Sequence, residues 1–456
     1  MNNSFKITKG LDIPLSGIAA LEVVPAGESE IWAVAPSDFH GLVPRLLVQV
    51  GDRVKAGTPI FCDKIRPEVL FVAPVSGVVS DIVRGEKRKL LNILIKVDEQ
   101  IEFNPFPVRD PLVMSPDSVK EALLESGLWT LLKQRPYDVI ADPQKNPRDI
   151  FVTGFDSSPL APDYDFILKG QGTDIQKGLD ALTRLTEGNV YLGLRSNQQT
   201  SVLSQALRVK ICSFDGPHPA GLVGVQINHI KPVNKDEVVY TANALDVAII
   251  GRFFNQGKVD MTRLVAVTGP MVRKPHYVRC KPGLSIHSIL AGNVYTEANL
   301  RFIGGNVLTG IKLGLDDYLP PQVHQLTVLQ EGEGIHELFG WALPRLNLFS
   351  FSRTYFTNLV RRFQPDKTYE PDTRILGGER ALIMSGEYER VFPMDILPEH
   401  LTRACISGNI ERQEGLGIYE VAPEDFALCE YTCTSKIPVQ QVVREALDKL
   451  KAENGD

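Results

Sequence analysis

Three observations predict a multidomain protein of mixed α/β and α+β class. At 456 residues the chain is longer than one hydrophobic core ordinarily organises. Its first hundred residues break short apolar runs with Gly and Pro, as a series of short strands does. From Asp149 to Phe214 strand-length and helix-length segments alternate, and from about Glu331 the two-residue period gives way to a helical one. The expected division is an all-β module over 1–103, a parallel-sheet α/β domain over 104–257, a smaller mixed module over 258–330 and a mainly helical domain over 331–456.

The β module opens with Met1 to Gly10, which lacks the apolar core of a signal peptide and reads as a short strand ending at Gly10. Gly51-Asp52-Arg53-Val54-Lys55-Ala56-Gly57 then marks two turns around a strand, and Ala73-Pro74-Val75-Ser76-Gly77-Val78-Val79 repeats strand, turn, strand. This pair of motifs resembles biotinyl/lipoyl carrier domains. Such carriers hold an acceptor lysine on the hairpin between the motifs, but here that position is Pro67, which has no amine to acylate, and Lys64 lies three residues away. The module is therefore expected to be a carrier fold kept as scaffold or docking surface.

Pro105, Pro107, Pro111 and Pro116 mark a linker. Beyond it, Ser118-Val119-Lys120-Glu121 has the form of a capping box, heading a helix that breaks at Gly127. Asp149–Thr153, Asp165–Leu168, Val190–Leu194 and Val209–Phe214 read as strands. Ile175, Leu179, Leu182 and Leu185 share a helical face capped by Asp174, and a further helix is expected through Val202 and Leu207. The alternation predicts a Rossmann-like parallel sheet. Its turn Lys169-Gly170-Gln171-Gly172-Thr173-Asp174-Ile175 opens like a dinucleotide fingerprint. Ile175 stands in the third glycine position, however, and Asp174 puts negative charge where a pyrophosphate would sit, so no nucleotide is expected.

From Leu264 two strands (Leu264–Thr268, Tyr277–Cys280), a short helix opened by Pro282-Gly283 and further strands near Leu300–Ile303 and Leu326–Leu329 suit a β-grasp module. The last helix, near Val439–Lys451, puts Val439, Val442, Val443, Leu447 and Leu450 on one face.

Several chemical motifs start and fail. His336-Glu337-Leu338-Phe339-Gly340 has glycine where a second zinc histidine must stand. Gly283-Leu284-Ser285-Ile286-His287 lacks the last glycine of a nucleophile elbow. Gly304-Gly305 and Gly377-Gly378 serve turns rather than phosphates. Cys429 and Cys433, with Cys405 upstream, are too few and too widely spaced for an iron-sulfur cluster, and six cysteines in all form no disulfide framework. No catalytic, cofactor-binding or metal-ligating set is expected in this chain. Gly216-Pro217-His218-Pro219-Ala220-Gly221 follows the last strand of the sheet, where open α/β sheets bind ligands, so Phe214 and His218 are the candidates for contact with a quinone or a partner. Trp341 is expected in a core or interface.

Composition narrows the classes further. Forty-nine Lys and Arg against 55 Asp and Glu give a net charge of −6, without the basic stripe that nucleic acid requires. The densest basic stretch, Arg84-Gly85-Glu86-Lys87-Arg88-Lys89, reads as a solvated turn. No segment approaches the roughly 20 apolar residues of a membrane span; the best, Ala244–Phe254, contains Asp246 and Arg252. A cytoplasmic location with reduced thiols is expected.

Lys9-Gly10-Leu11-Asp12, the Gly216–Gly221 block, Val307-Leu308-Thr309-Gly310, Phe339-Gly340-Trp341, Gly377-Gly378-Glu379-Arg380-Ala381 and above all Tyr388-Glu389-Arg390-Val391-Phe392-Pro393-Met394-Asp395-Ile396-Leu397-Pro398 together resemble the NqrA family along the whole chain. Its members are one subunit of the sodium-translocating NADH:quinone oxidoreductase. The resemblance implies a cofactor-free peripheral protein on the cytoplasmic face of the bacterial inner membrane. It also implies the other subunits of a respiratory complex as partners, bearing the flavins and iron centres. Its role would be to support quinone reduction by NADH coupled to sodium export, or to dock and brace the complex without touching quinone itself. A free-standing flavoenzyme would need a flavin motif that the sequence lacks.

Overall fold

The computed structural model describes residues 3–198, 201–333, 345, 348–351, 357, 360 and 363–455. His336–Gly340 and Trp341 lie outside the described residues. The multidomain α/β and α+β architecture is as expected, but the N-terminus is distributed differently. Asn3–Lys6, read as part of the β module, is the edge strand of the large parallel sheet, and Val23–Pro25 pairs in parallel with His276–Cys280 of the β-grasp sheet. The β module itself begins near Ile31. A strand of three or four residues has too little pattern to name its partner, and these two partners lie some 200 residues downstream.

The central sheet runs in the order Asn3–Lys6, Lys210–Asp215, Val190–Arg195, Ile150–Thr153, Val239–Asn243, Lys133–Arg135, Val139–Ile140. The first five strands are parallel, and Lys133–Arg135 pairs antiparallel with both of its neighbours. Ile150–Thr153, Val190–Arg195 and Lys210–Asp215 wind outward in one direction, and the chain then returns to place Val239–Asn243 on the other side of Ile150–Thr153. The strand order thus reverses between Ile150–Thr153 and Val239–Asn243, the place where open α/β sheets leave a crevice. Two crossover helices, Gly172–Thr183 and Ala244–Gln256, pack backbone to backbone. A Cβ on Gly178 would lie 2.1 Å from the Val247 carbonyl oxygen, and one on Gly251 1.6 Å from that of Asp174.

Four local expectations are corrected here. Asp165–Leu168 is not a strand: Tyr164–Ile167 forms one helical turn whose first N–H groups meet the Asp163 carboxylate, with Phe166 N donating to Oδ1 at 3.0 Å. Four residues carry no usable period, and an Asp just before them is a cap signal. The Lys169–Ile175 turn therefore joins helix to helix, which removes the strand-to-helix context a dinucleotide site needs. Asp174 lies inside the first turn of its helix, after the cap residue Gln171, and accepts from Asn255 Nδ2 at 2.7 Å. In the same domain Ser115, not Ser118, caps Pro116–Glu125, and the helix through Val202 is a single turn, Val202–Gln205.

The β module consists of a four-stranded sheet (Ile31–Val34, Leu90–Val97, Gly77–Arg84, Arg53–Val54) facing a three-stranded one (Pro44–Leu46, Pro59–Asp63, Leu70–Val72). Its hairpin through Pro67 is tied down: Arg66 Nη1 donates to the Ile140 carbonyl at 3.3 Å, and Gln144 Nε2 donates to Glu68 Oε1 at 3.1 Å. The six-stranded β-grasp sheet runs Ile311–Leu313, Leu300–Gly304, Gln325–Gln330, Arg263–Thr268, His276–Cys280, Val23–Pro25. Ser285 caps the Ile286–Leu290 helix by accepting from Ser288 N at 3.1 Å, a structural use for that serine.

Beyond residue 363 the described chain is irregular until Tyr388–Val391, after which Pro398–Ser407, Ile410–Gly415, Ala427–Thr432 and Val439–Asn454 form a helical layer. Val439, Val443, Leu447 and Leu450 are fully buried and join Phe151, Tyr191 and Phe214 of the central sheet in one core, with Val442 at its edge. Among the described residues no helix is long and apolar enough to cross a membrane.

Candidate functional site

The sequence candidates point inward. Phe214 is fully buried and stacks on Phe5, ring centroids 5.1 Å apart. His218, the other candidate for contact with a quinone or a partner, is 2% exposed. Its Nδ1 shares a hydrogen bond with Ser157 Oγ at 3.0 Å, and Ser157 Oγ also accepts from Gly221 N at 2.8 Å. The two motifs Lys9–Asp12 and Gly216–Gly221 meet here. Leu11 N donates to the His218 carbonyl at 2.8 Å, His218 N donates to Asp12 Oδ1 at 2.9 Å, and a Cβ on Gly10 would sit 2.1 Å from that carbonyl. Burial holds the imidazole below its usual titration range, with Asp156 and Asp12 opposing. The loop is a clasp that fixes the N-terminal strand to the sheet.

A crevice opens beside this clasp, at the reversal of strand order. Its cavity, about 710 Å³, is walled by all four parts of the chain: Asp38 and Phe71 from the β module, Thr153, Phe155 and Asn243 from the central sheet, Arg263 and Gly305 from the β-grasp module, Glu424 and Arg444 from the helical layer. Gly221, Leu222 and Val223, which leave the clasp directly, line it too. Thr153 Oγ1 donates to the Gly221 carbonyl at 3.0 Å, so the end of one switch strand and the exit of the loop move as one piece.

At the β-grasp side of the crevice the polar groups are buried. Asn243 caps the Ala244–Gln256 helix: Asp246 N donates to its Oδ1 at 2.8 Å and its Nδ2 donates to Asp246 Oδ2 at 2.7 Å. Burial alone would push the Asp246 carboxyl up, but His324, Arg263 and Asn243 outweigh it and hold it below the usual carboxylate range. His324 Nε2 lies 3.5 Å from Asp246 Oδ1. Arg263, 7% exposed, donates through Nη1 to the Pro321 carbonyl. Burial raises the Tyr164 hydroxyl well above its usual value, so it stays protonated as a donor at neutral pH. The set can orient a flat ligand and bind its polar end.

Asp38 reaches this side from the β module, its carbonyl accepting from Gln322 Nε2 at 3.0 Å, and its carboxyl is pushed up to about 7 by burial and by Asp317. Where the central sheet meets the helical layer, Lys133, Arg135, Asp138 and Glu424 form a charged cluster. These residues do not stand out in the sequence, although one signal exists: Arg263 and Gln325, the latter preceded by His324, begin mostly apolar strands, and Asp246 interrupts an apolar helix.

Cys405, Cys429 and Cys433 are buried in the helical layer. Tyr388 donates its hydroxyl to Cys433 Sγ at 3.1 Å, and burial pushes the Cys405 thiol up to about 12 and the Cys429 thiol well above the usual range. Among the described residues no group of three His, Cys, Asp or Glu side chains comes together as a metal site.

Comparison with known proteins gives three family matches: the NqrA N-terminal barrel-sandwich hybrid domain over residues 5–98, the NqrA second alpha/beta domain over 114–259, and the NQRA C-terminal domain over 264–314. The chain is 39% identical over 453 residues to the NqrA subunit of the Na(+)-translocating NADH-quinone reductase of Serratia proteamaculans (strain 568), covering 98% of this chain and 99% of that one. The corresponding subunits of Yersinia pseudotuberculosis serotype O:1b (strain IP 31758) and Actinobacillus pleuropneumoniae serotype 5b (strain L20) match at 37% over 451 and 38% over 452 residues, with the same coverage. Similarity of this extent, running through every part of the fold just described, means that the chain belongs to the NqrA family of the Na(+)-translocating NADH-quinone reductase.

Proposed function

We propose that this chain is a peripheral subunit, on the cytoplasmic face of the bacterial inner membrane, of a respiratory sodium-translocating NADH:quinone reductase. It holds no cofactor of its own and supports quinone reduction coupled to sodium export, while partner subunits carry the flavins and iron centres. The observation that carries this reading is end-to-end similarity to proteins of that name, 98% of this chain against 99% of theirs. The helix-to-helix context of Lys169–Ile175 and the burial of the cysteines support the cofactor-free part. In this reading the Phe214–Gly221 loop serves quinone reduction indirectly, by setting the wall of the crevice through Gly221–Val223.

A second reading, a docking protein without quinone contact, is favoured by the burial of Phe214 and His218. Deleting the chain and restoring it in membranes tests the first. Sodium-dependent ubiquinone reduction should vanish and return with the wild-type chain, and Leu222→Trp, which narrows the crevice, should raise the quinone KM several-fold. Full activity without the chain overturns both readings; an unchanged KM in a folded Leu222→Trp complex favours the second.

A further inference from the structure

The guanidinium of Arg263 is the unusual group in the crevice. Buried charges are ordinarily paired, as two others here are: Arg135 meets Asp425 and Glu424, and Glu331 meets Arg301. Among the described residues no carboxylate lies within ion-pair distance of Arg263. Its Nη1 is used by Pro321, but Nε and Nη2 have no hydrogen-bond partner there. Those two N–H groups lie on one edge of the planar guanidinium and point the same way, the two-pronged edge that matches the two oxygens of a carboxylate.

Two neighbours also hold buried polar atoms without a hydrogen-bond partner. His324, with a side chain 9% exposed, has neither ring nitrogen in a hydrogen bond, and the Gln325 amide oxygen is buried without a donor. All three line the crevice, together with the aromatic Phe155 and Tyr164. Asp246 supplies a carboxylate to the cluster: its Oδ2 accepts from Asn243, and its Oδ1, buried without a hydrogen-bond partner, faces His324 Nε2 at 3.5 Å. It tempers the positive field without occupying the Arg263 edge.

We propose that this end of the crevice is a binding site for a small organic carboxylate with a flat apolar body: Arg263 takes the carboxylate through Nε and Nη2, His324 adds a hydrogen bond, and Phe155 and Tyr164 cover the body. The proposal stands apart from the quinone reading, since a quinone has no carboxylate.

The test is calorimetric titration of the full chain with benzoate and, at matched ionic strength, with inorganic phosphate. Benzoate should bind at one saturable site and phosphate at least about 10-fold more weakly, because phosphate can take the same two-pronged edge but has no apolar body for Phe155 and Tyr164 to cover. Arg263→Gln should abolish benzoate binding. Arg263→Lys, which keeps the charge but offers one point donor, should weaken it by about 10–100-fold. Circular dichroism identifies any variant that fails to fold, and Arg263→Lys then carries the test. Absence of saturable benzoate binding up to about 10 mM, equal affinity for phosphate, or unchanged affinity in a folded Arg263→Lys chain would each overturn the proposal.

Discussion

Arg135 joins the central sheet to the helical layer, and removing it should uncouple them. Its side chain is 1% exposed, its Nη2 donates to Glu424 Oε1 at 2.8 Å, and its Nη1 donates to Asp425 Oδ2 at 3.1 Å. The Asp425 side chain is fully buried, and its carboxylate also accepts from Ala422 N at 2.8 Å. Substituting Met leaves a comparable volume but strands the Asp425 charge. Two charge-assisted hydrogen bonds at about 1.5–3 kcal/mol each, or equivalently the removal of one partner from a buried pair at about 3–5 kcal/mol, set the expected loss.

The loss should be local, because Glu424 and Asp425 belong to the helical layer and Arg135 to an antiparallel strand at the far edge of the sheet. Native-state hydrogen exchange is the suitable assay: in Arg135→Met, peptides over 420–454 should open more easily by about 3–5 kcal/mol while those of Gly172–Thr183 change by less than about 1. The deficit should depend on pH. Burial already pushes the Asp425 carboxyl up against the pull of Arg135, and without Arg135 it rises further. A carboxyl raised in the folded state costs stability as pH climbs from its unfolded value to its folded one, so the deficit should be largest at pH 8 and shrink toward pH 4. Adding Asp425→Asn should restore most of it. A loss below about 1 kcal/mol in the 420–454 peptides, or a loss independent of pH, would refute the assignment of a buried charged joint.

Asp38, raised to about 7, costs stability progressively between pH 4 and 7, so Asp38→Asn should stabilise by on the order of 2 kcal/mol more at pH 8 than at pH 4, read by urea unfolding. Gly10→Ala places a methyl carbon 2.1 Å from the His218 carbonyl oxygen at a φ of +147° and should cost about 2–4 kcal/mol, with the amide of Leu11 losing its exchange protection first. For His218 the sign is opposite to that of Asp38: an imidazole held neutral by burial loses stability as pH falls below its unfolded value of about 6.5, and His218→Gln should remove that acid-side loss in a thermal scan at pH 5.

The parts legible in the sequence are those where one segment carries its own signal. Ile150–Thr153 and Val190–Leu194 read as strands because a parallel strand buried on both faces is continuously apolar, and the last helix shows its face through five residues of one period. Short pieces fail because their conformation is decided elsewhere: Asn3–Lys6 owes its place to Lys210–Asp215, and Tyr164–Ile167 is helical through the Asp163 cap. The loop Phe214–Gly221 stands out for a sound reason, since it does leave a parallel strand at its carboxyl end. What the sequence cannot tell is that His218 turns inward to Ser157, leaving the crevice wall to the three residues that follow Ala220.

The crevice is harder to see for the same reason. Its lining comes from stretches near residues 38, 153, 243, 263, 305, 324 and 424, which no local window can join. Several of these positions break a local rule: Arg263 charges the start of a core strand, Asp246 sits in an apolar helix, and Asp38 holds a carboxyl where burial favours the neutral form. A chain that serves only as scaffold has no reason to keep the unpartnered Arg263 edge and the unpartnered Gln325 oxygen together, because hydrophobic residues of similar volume would stabilise it more. Their convergence at the reversal of strand order therefore argues for a ligand at this crevice more strongly than any single motif does, and the Arg263 titration puts that argument to a direct test.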